Sequence, residues 1–136
     1  MTPPAGYSGT PLVRKLGIKP ATRLALVGAP DGFVAMLDGM PESVQVLARV
    51  SGRPELVVWF VASRLGLERR IPAIARQMGQ GLWIAWPKKS SGVASDLTED
   101  VVRAAGLAHG LVDYKVCAID GTWSGLKFAR RSAGSR

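Results

Sequence analysis

The sequence predicts a small three-layer α/β sandwich, in which a mostly parallel sheet of about six strands carries helices on both faces and ends in an antiparallel C-terminal hairpin. Three observations predict it. Short apolar runs alternate with amphipathic stretches along most of the chain, the pattern of strands and helices stacked in layers. One run, ELVVWFVA at 55–62, stays apolar through seven consecutive positions, as a strand covered on both faces does. Near the C-terminus, LVDYKVCAID at 111–120 and GLKFARR at 125–131 flank Gly-Thr-Trp-Ser, which reads as two antiparallel strands on a short connection.

The elements follow in order. Residues 1–9 are rich in Pro, Gly, Ser and Thr and read as an arm, with Tyr7 available to pack. Thr10 as N-cap, Pro11 at the first helical position and Gly17 as the stop predict a helix over 11–16. TRLALVG at 22–28 is the first strand and runs into the turn Gly28-Ala29-Pro30-Asp31-Gly32. FVAML at 33–37 sets Phe33, Met36 and Leu37 on one side of a short helix that Gly39 and Pro41 stop. SVQVLARV at 43–50 alternates valine with polar residues up to Leu47 and reads as the second strand. Only Ser51-Gly52-Arg53-Pro54 separates it from the third, at 55–62, so no helix fits between them.

Ser63 is an N-cap for the next helix, marked by Leu67, Ile71, Ile74, Ala75 and Met78 at three- and four-residue spacings. Its other face carries Arg64, Glu68, Arg69, Arg70 and Arg76 and reads as solvated, and Pro72 is expected to kink or restart it. GLWIAWP at 81–87 is the fourth strand. Asp-Leu-Thr-Glu at 96–99 predicts a capping box, with Asp96 as N-cap and Glu99 reaching back, before a helix to Gly106. SAGSR at 132–136 reads as a tail.

Composition narrows the function classes. A chain of 136 residues, 47% hydrophobic and 21% charged, suits one globular domain, here residues 1–136. Every apolar run is broken well before the ~20 residues that span a bilayer. The N-terminal stretch lacks the apolar centre of a secretory signal, so cytoplasmic residence is the expectation. A single cysteine, Cys117, and a single histidine, His109, exclude an internal disulfide and a Cys/His zinc site. The net charge of +8 favours polyanions or phosphorylated ligands. Because the basic residues are scattered, charge alone does not single out nucleic acid.

Two resemblances follow from these blocks. GYSGTPL at 6–12, AWPKKSSG at 85–92, DLTEDVVR at 96–103, LVDYKVCAID at 111–120 and TWSGLKF at 122–128 resemble, in the same order, a family of small bacterial proteins built on a domain of unknown function. The strand-helix alternation closed by a hairpin is similar, more distantly, to the Rossmann-like fold of S-adenosylmethionine-dependent methyltransferases, here shortened. In that family a glycine-rich loop follows the first strand and an acidic residue ends the second, where it holds the ribose hydroxyls. Here the first loop has Pro30 among its residues, and the second strand ends at Arg49, Val50 and Ser51 with no carboxylate.

In open α/β sheets ligands bind beyond the carboxyl ends of the strands, near the reversal of strand order. The predicted edge collects Gly28 and Asp31, then Ser63 and Arg64 at a helix start whose free amides favour anions. It also collects Lys88, Lys89, Ser90 and Ser91, which can hold a phosphate or carboxylate although they lack phosphate-loop spacing. At the hairpin connection Asp120 can accept hydrogen bonds and Trp123 can stack on a planar ligand, or the two can serve as turn residue and core anchor. Cys117 shares a strand face with Lys115 but has only the distant His109 as a base, so it reads as a packed cysteine.

No catalytic set and no metal site assembles from these residues. The sequence therefore reads as a non-catalytic binding or regulatory domain for an anionic small molecule or a protein partner, with no membrane. The alternative is a divergent methyltransferase, with S-adenosylmethionine as cofactor and Asp31 or Asp120 in place of the missing carboxylate. A third reading binds nucleic acid through the arginine-bearing helix and the basic C-terminus, and predicts affinity that falls steeply with salt.

Overall fold

The computed structural model describes residues 10–131; the expected arm at 1–9 and tail at 132–136 lie outside them. The elements are α1 (Leu12–Leu16), β1 (Arg23–Val27), α2 (Phe33–Met36), β2 (Gln45–Leu47), β3 (Leu56–Phe60), α3 (Arg64–Gln77), β4 (Gly81–Pro87), α4 (Glu99–Ala108), β5 (Leu111–Ala118) and β6 (Trp123–Arg130). They form one six-stranded sheet in the order β2-β1-β3-β4-β6-β5. β2, β1, β3 and β4 run parallel, while β6 is antiparallel to β4 and β5 to β6. No helix among the described residues is long and apolar enough to cross a membrane.

The buried strands explain the layers. β3 and β4 are buried at every position, because helices cover both faces of the sheet there. On one face Val57, Trp59, Leu82, Ile84, Leu126 and Phe128 pack against residues of α3 and α4. On the other, Leu24, Val58, Phe60 and Trp83 meet Val13 and Leu16 of α1 and Phe33 of α2. Trp83 is fully buried, and its Nε1–H donates to the Leu16 carbonyl at 2.9 Å, fastening α1 to the sheet.

Several expectations shift. α1 starts one residue late: Pro11 takes the N-cap position and its carbonyl accepts from the Arg14 and Lys15 N–H groups at 3.0 Å. The second strand shrinks from 43–50 to Gln45–Leu47, at a sheet edge where Gln45 and Val46 are exposed and only Leu47 is partly buried; an edge strand with neither face fully buried gains little from its valine alternation. α3 runs unbroken through Pro72. Gly106 lies inside α4 instead of ending it, because a Cβ there would stand 2.2 Å from the Phe128 ring. The helix continues past the glycine since its close seat on β6 needs a residue without a side chain.

The crossover from β2 to β3 passes β1 in residues 48–55 with no helix. Arg23 secures it. Its guanidinium donates to Glu55 and to the Gly52 and Arg53 carbonyls, while its backbone N–H donates to Glu55 Oε1 at 2.7 Å. The hydrogen bonds from Arg23 hold the Glu55 carboxyl well below the usual carboxylate range, at about 2.

Candidate functional site at the carboxyl edge of the sheet

The reversal of strand order lies between β1 and β3, since the chain moves from β1 outward to β2 and then back across to β3. Parallel pairing ends β1, β3 and β4 on one edge, and the antiparallel register brings Trp123 beside Pro87 and Ala118 beside Ser124 on that edge. The segments holding Gly28, Asp31, Ser63, Arg64, Lys88, Lys89, Ser90, Ser91, Asp120 and Trp123 thus gather at one side of the sheet. Their side chains serve different ends.

Gly28 has φ +68°, and a Cβ there would lie 2.8 Å from the Phe60 carbonyl oxygen. The end of β1 therefore approaches the end of β3 more closely than any residue with a side chain allows. Beyond it, a cleft of about 390 Å³ opens between the loop after β1, α2 and β2, with Leu26, Asp31, Phe33, Val34 and Val46 among its walls. Asp31 is exposed and is the one acidic side chain in those walls.

Ser63 caps α3 as expected, its hydroxyl accepting from the Gly66 N–H at 3.0 Å. Asp96 departs from expectation. It does not cap α4, but accepts from the Arg64 backbone N–H at 2.7 Å and so supplies α3 with a carboxylate at its positive end. Thr98 caps α4 instead, accepting from Val101 N–H at 3.2 Å, and Glu99 pairs with Arg103 at 2.6 Å rather than reaching back. The Arg64 side chain pairs with Glu68 and lines a separate groove of about 420 Å³ between α3 and α4. Replacing Asp96 by Ala is expected to cost about 1 kcal/mol in urea unfolding, and by Asn much less, since an amide oxygen still caps.

The lysine-serine segment folds as a turn. The Lys88 N–H donates to the Thr122 carbonyl at 2.8 Å, a short 3-10 turn covers Lys89–Ser91, and Gly92 closes it with φ 81°. Ser91 is used internally: its hydroxyl donates to the Lys88 carbonyl at 2.7 Å and accepts from Val93 N–H at 3.1 Å. Lys89 and Ser90 are exposed, Lys88 is half-buried, and none of them walls the cleft beside Asp31.

Asp120 is a turn residue. Its Oδ1 accepts from both Thr122 and Trp123 N–H groups at 2.8 Å, an arrangement typical of aspartate in a tight connection. Trp123 is half-buried and meets Phe60 edge to face at 5.0 Å between ring centres, and Phe60 meets Phe33 at 4.9 Å. This row of three rings crosses the strand reversal and ends at the cleft wall. Phe60 and the row escape a reading by segments, because its members come from positions far apart; the only local signals are Phe33 directly after the turn and Phe60 closing a strand.

Cys117 packs on the face of α1 and α2, and burial pushes its thiol up against the pull of Lys15, Lys115 and Lys127. His109 lies on the opposite face, in the groove between α3 and α4. The two cannot act as a nucleophile and its base.

No protein-family model and no curated protein matches the chain. Solved structures do match in fold. Magnesium protoporphyrin IX methyltransferase from Synechocystis PCC 6803, with bound S-adenosylmethionine, superposes with a TM-score of 0.61 at 11% identity, over 88% of this chain and 74% of that one. The ribosomal protein L11 methylase of Lactobacillus delbrueckii subsp. bulgaricus gives 0.57 at 15% identity, over 89% and 75%. A putative RNA methyltransferase from Pyrococcus horikoshii gives 0.50 at 14% identity, over 92% and 80%. The fold is thus Rossmann-like and similar to that of methyltransferases, with a mostly parallel sheet and antiparallel C-terminal strands.

Proposed function

We propose that this chain is a divergent S-adenosylmethionine-dependent methyltransferase that holds its cofactor in the cleft beside Gly28 and Asp31. The observation that carries the reading is a cleft at the strand reversal with one carboxylate in an otherwise largely apolar wall, in a fold shared with a methyltransferase whose structure contains S-adenosylmethionine.

The residues present fit such a cofactor. The volume falls within the range of small-molecule sites. Gly28 keeps a side chain out of the approach to the strand ends, and Phe33, Val34 and Val46 offer apolar contact to a nucleoside. Pro30 removes one amide donor from the loop, and Asp31 supplies the acceptor for ribose hydroxyls that the end of β2 lacks. When bound, the cofactor supplies an electrophilic methyl group. The chain's part is to orient it against the apolar wall, while the basic Lys88 and Lys89 at the same edge favour an anionic acceptor by charge.

Titration calorimetry with S-adenosylmethionine tests the site. Saturable binding is expected, weakened about tenfold or more in Asp31→Asn, in keeping with the loss of a charged hydrogen-bond acceptor. Absence of binding at millimolar cofactor would overturn the reading. Saturable binding with no methyl transfer to any acceptor would keep the site and return the chain to a non-catalytic, regulatory role.

A further inference from the structure

A second constellation lies on the face of β5 and β6 that α1 partly covers. Lys127 of β6 is half-buried there, with its ammonium 5.6 Å from the Trp83 ring centre and 5.8 Å from that of Tyr114. It donates to the Leu16 carbonyl at 3.3 Å, and Gly17, with φ +83°, lets the end of α1 come this near. Lys115 is its direct partner across the β5–β6 ladder. Lys15 reaches in from α1 to donate to the Ala118 carbonyl at 2.9 Å, and Lys19 follows just past the Gly17 turn.

Among the described residues these lysines form no ion pair: all five pairs there use Arg23, Arg64 or Arg103. Beside them, burial pushes the Cys117 thiol up. Like charges directly opposite in a ladder destabilise a sheet. Burial, followed by the charges of Lys115 and Lys19, holds the Lys127 ammonium below the usual lysine range.

We propose that this face binds a multiply charged phosphate ligand, held by Lys15, Lys19, Lys115 and Lys127 with the exposed Tyr114 ring beside them. An ammonium carries three donors, so Lys15 and Lys127 each keep two beyond their bond to a carbonyl. Compact ammonium groups suit the tetrahedral array of phosphate oxygens, and two linked phosphates can span charges presented by a helix and two strands. Tyr114 is 57% exposed and offers a planar face to a base attached to the phosphates. Diphosphate can reach the site free or as the tail of a nucleotide, and the two sources differ in their dependence on that ring.

Titration calorimetry of the full chain at low salt, with inorganic diphosphate and with adenosine diphosphate, tests the proposal. Both are expected to bind saturably, and Lys115→Gln to weaken both roughly tenfold, as loss of a charged hydrogen bond does. Tyr114→Ala is expected to weaken only the nucleotide, by about fivefold or more if its base stacks there; equal affinities in that variant and the parent would assign the site to free diphosphate. Lys127→Met, which keeps an apolar stem over Trp83, serves as a second test once its folding is verified by circular dichroism. Arg70→Gln, on the exposed face of α3 across the sheet, should change neither affinity. No binding at millimolar ligand, affinities that Lys115→Gln and folded Lys127→Met leave within twofold, or an equal loss in Arg70→Gln would overturn the proposal. Asp31→Asn separates this site from the cofactor cleft, since it should not alter diphosphate binding.

Discussion

Replacing Trp83 by Ala is expected to destabilise the protein by about 3–5 kcal/mol, the range for removing a fully buried tryptophan. Thermal unfolding followed by circular dichroism should fall by roughly 10–20 °C for a domain of this size. Trp83 lies in the middle of β4 with no exposed surface, and three contacts depend on it. Its ring packs with Leu16, Val58 and Ile119 in the core beneath α1, its Nε1–H holds the Leu16 carbonyl, and its face receives the Lys127 ammonium. Trp83→Phe separates these parts. It keeps most of the apolar ring and loses the N–H, so it should cost about 1–2 kcal/mol. If Phe is as damaging as Ala, the hydrogen bond to α1 outweighs the packing and the expected ranking is wrong.

Gly28→Ala is expected to cost about 2–4 kcal/mol and to lower the affinity for S-adenosylmethionine together with it. The left-handed backbone at φ +68° costs a residue with a side chain about 1–2 kcal/mol by itself. The remainder comes from the 2.8 Å approach of the new Cβ to the Phe60 carbonyl oxygen, a backbone atom at the end of β3 that cannot step aside without disturbing that strand. Gly32→Ala is the control: its φ is +81°, but nothing lies within 4 Å of its Cβ. Urea unfolding of both variants isolates the contact, and equal losses would show that the seam between β1 and β3 has slack.

The layered α/β class was legible because it follows from local chemistry. The unbroken apolar runs of β3 and β4 can be satisfied only inside a sheet covered on both faces, and the alternation around Thr122 and Trp123 suits only a paired hairpin. Ser63 could be recognised as a cap from its neighbours, since its partner, the Gly66 N–H, is three residues away. The same local logic misled at Asp96 and Gly106. A carboxylate three residues before a glutamate resembles a capping box, yet the nearer orphan amide belongs to Arg64, 32 residues earlier in the chain. A glycine after an apolar periodic stretch resembles a helix stop, yet the Phe128 ring is what requires it.

The candidate site divides in the same way. Sequence alone determined which segments end strands and begin helices, and therefore that Gly28, Asp31, the lysine-serine turn and Trp123 belong to strand ends, because such endings are set by residues adjacent in the chain. Only the tertiary structure decided the strand order β2-β1-β3-β4-β6-β5 and the ring row Phe33, Phe60 and Trp123. It also decided that Lys127, set over Trp83, shares the face of β5 and β6 with Lys15, Lys19 and Lys115. Those arrangements depend on contacts between residues up to 111 positions apart, and no periodicity or spacing within one segment encodes which distant segment will lie against it.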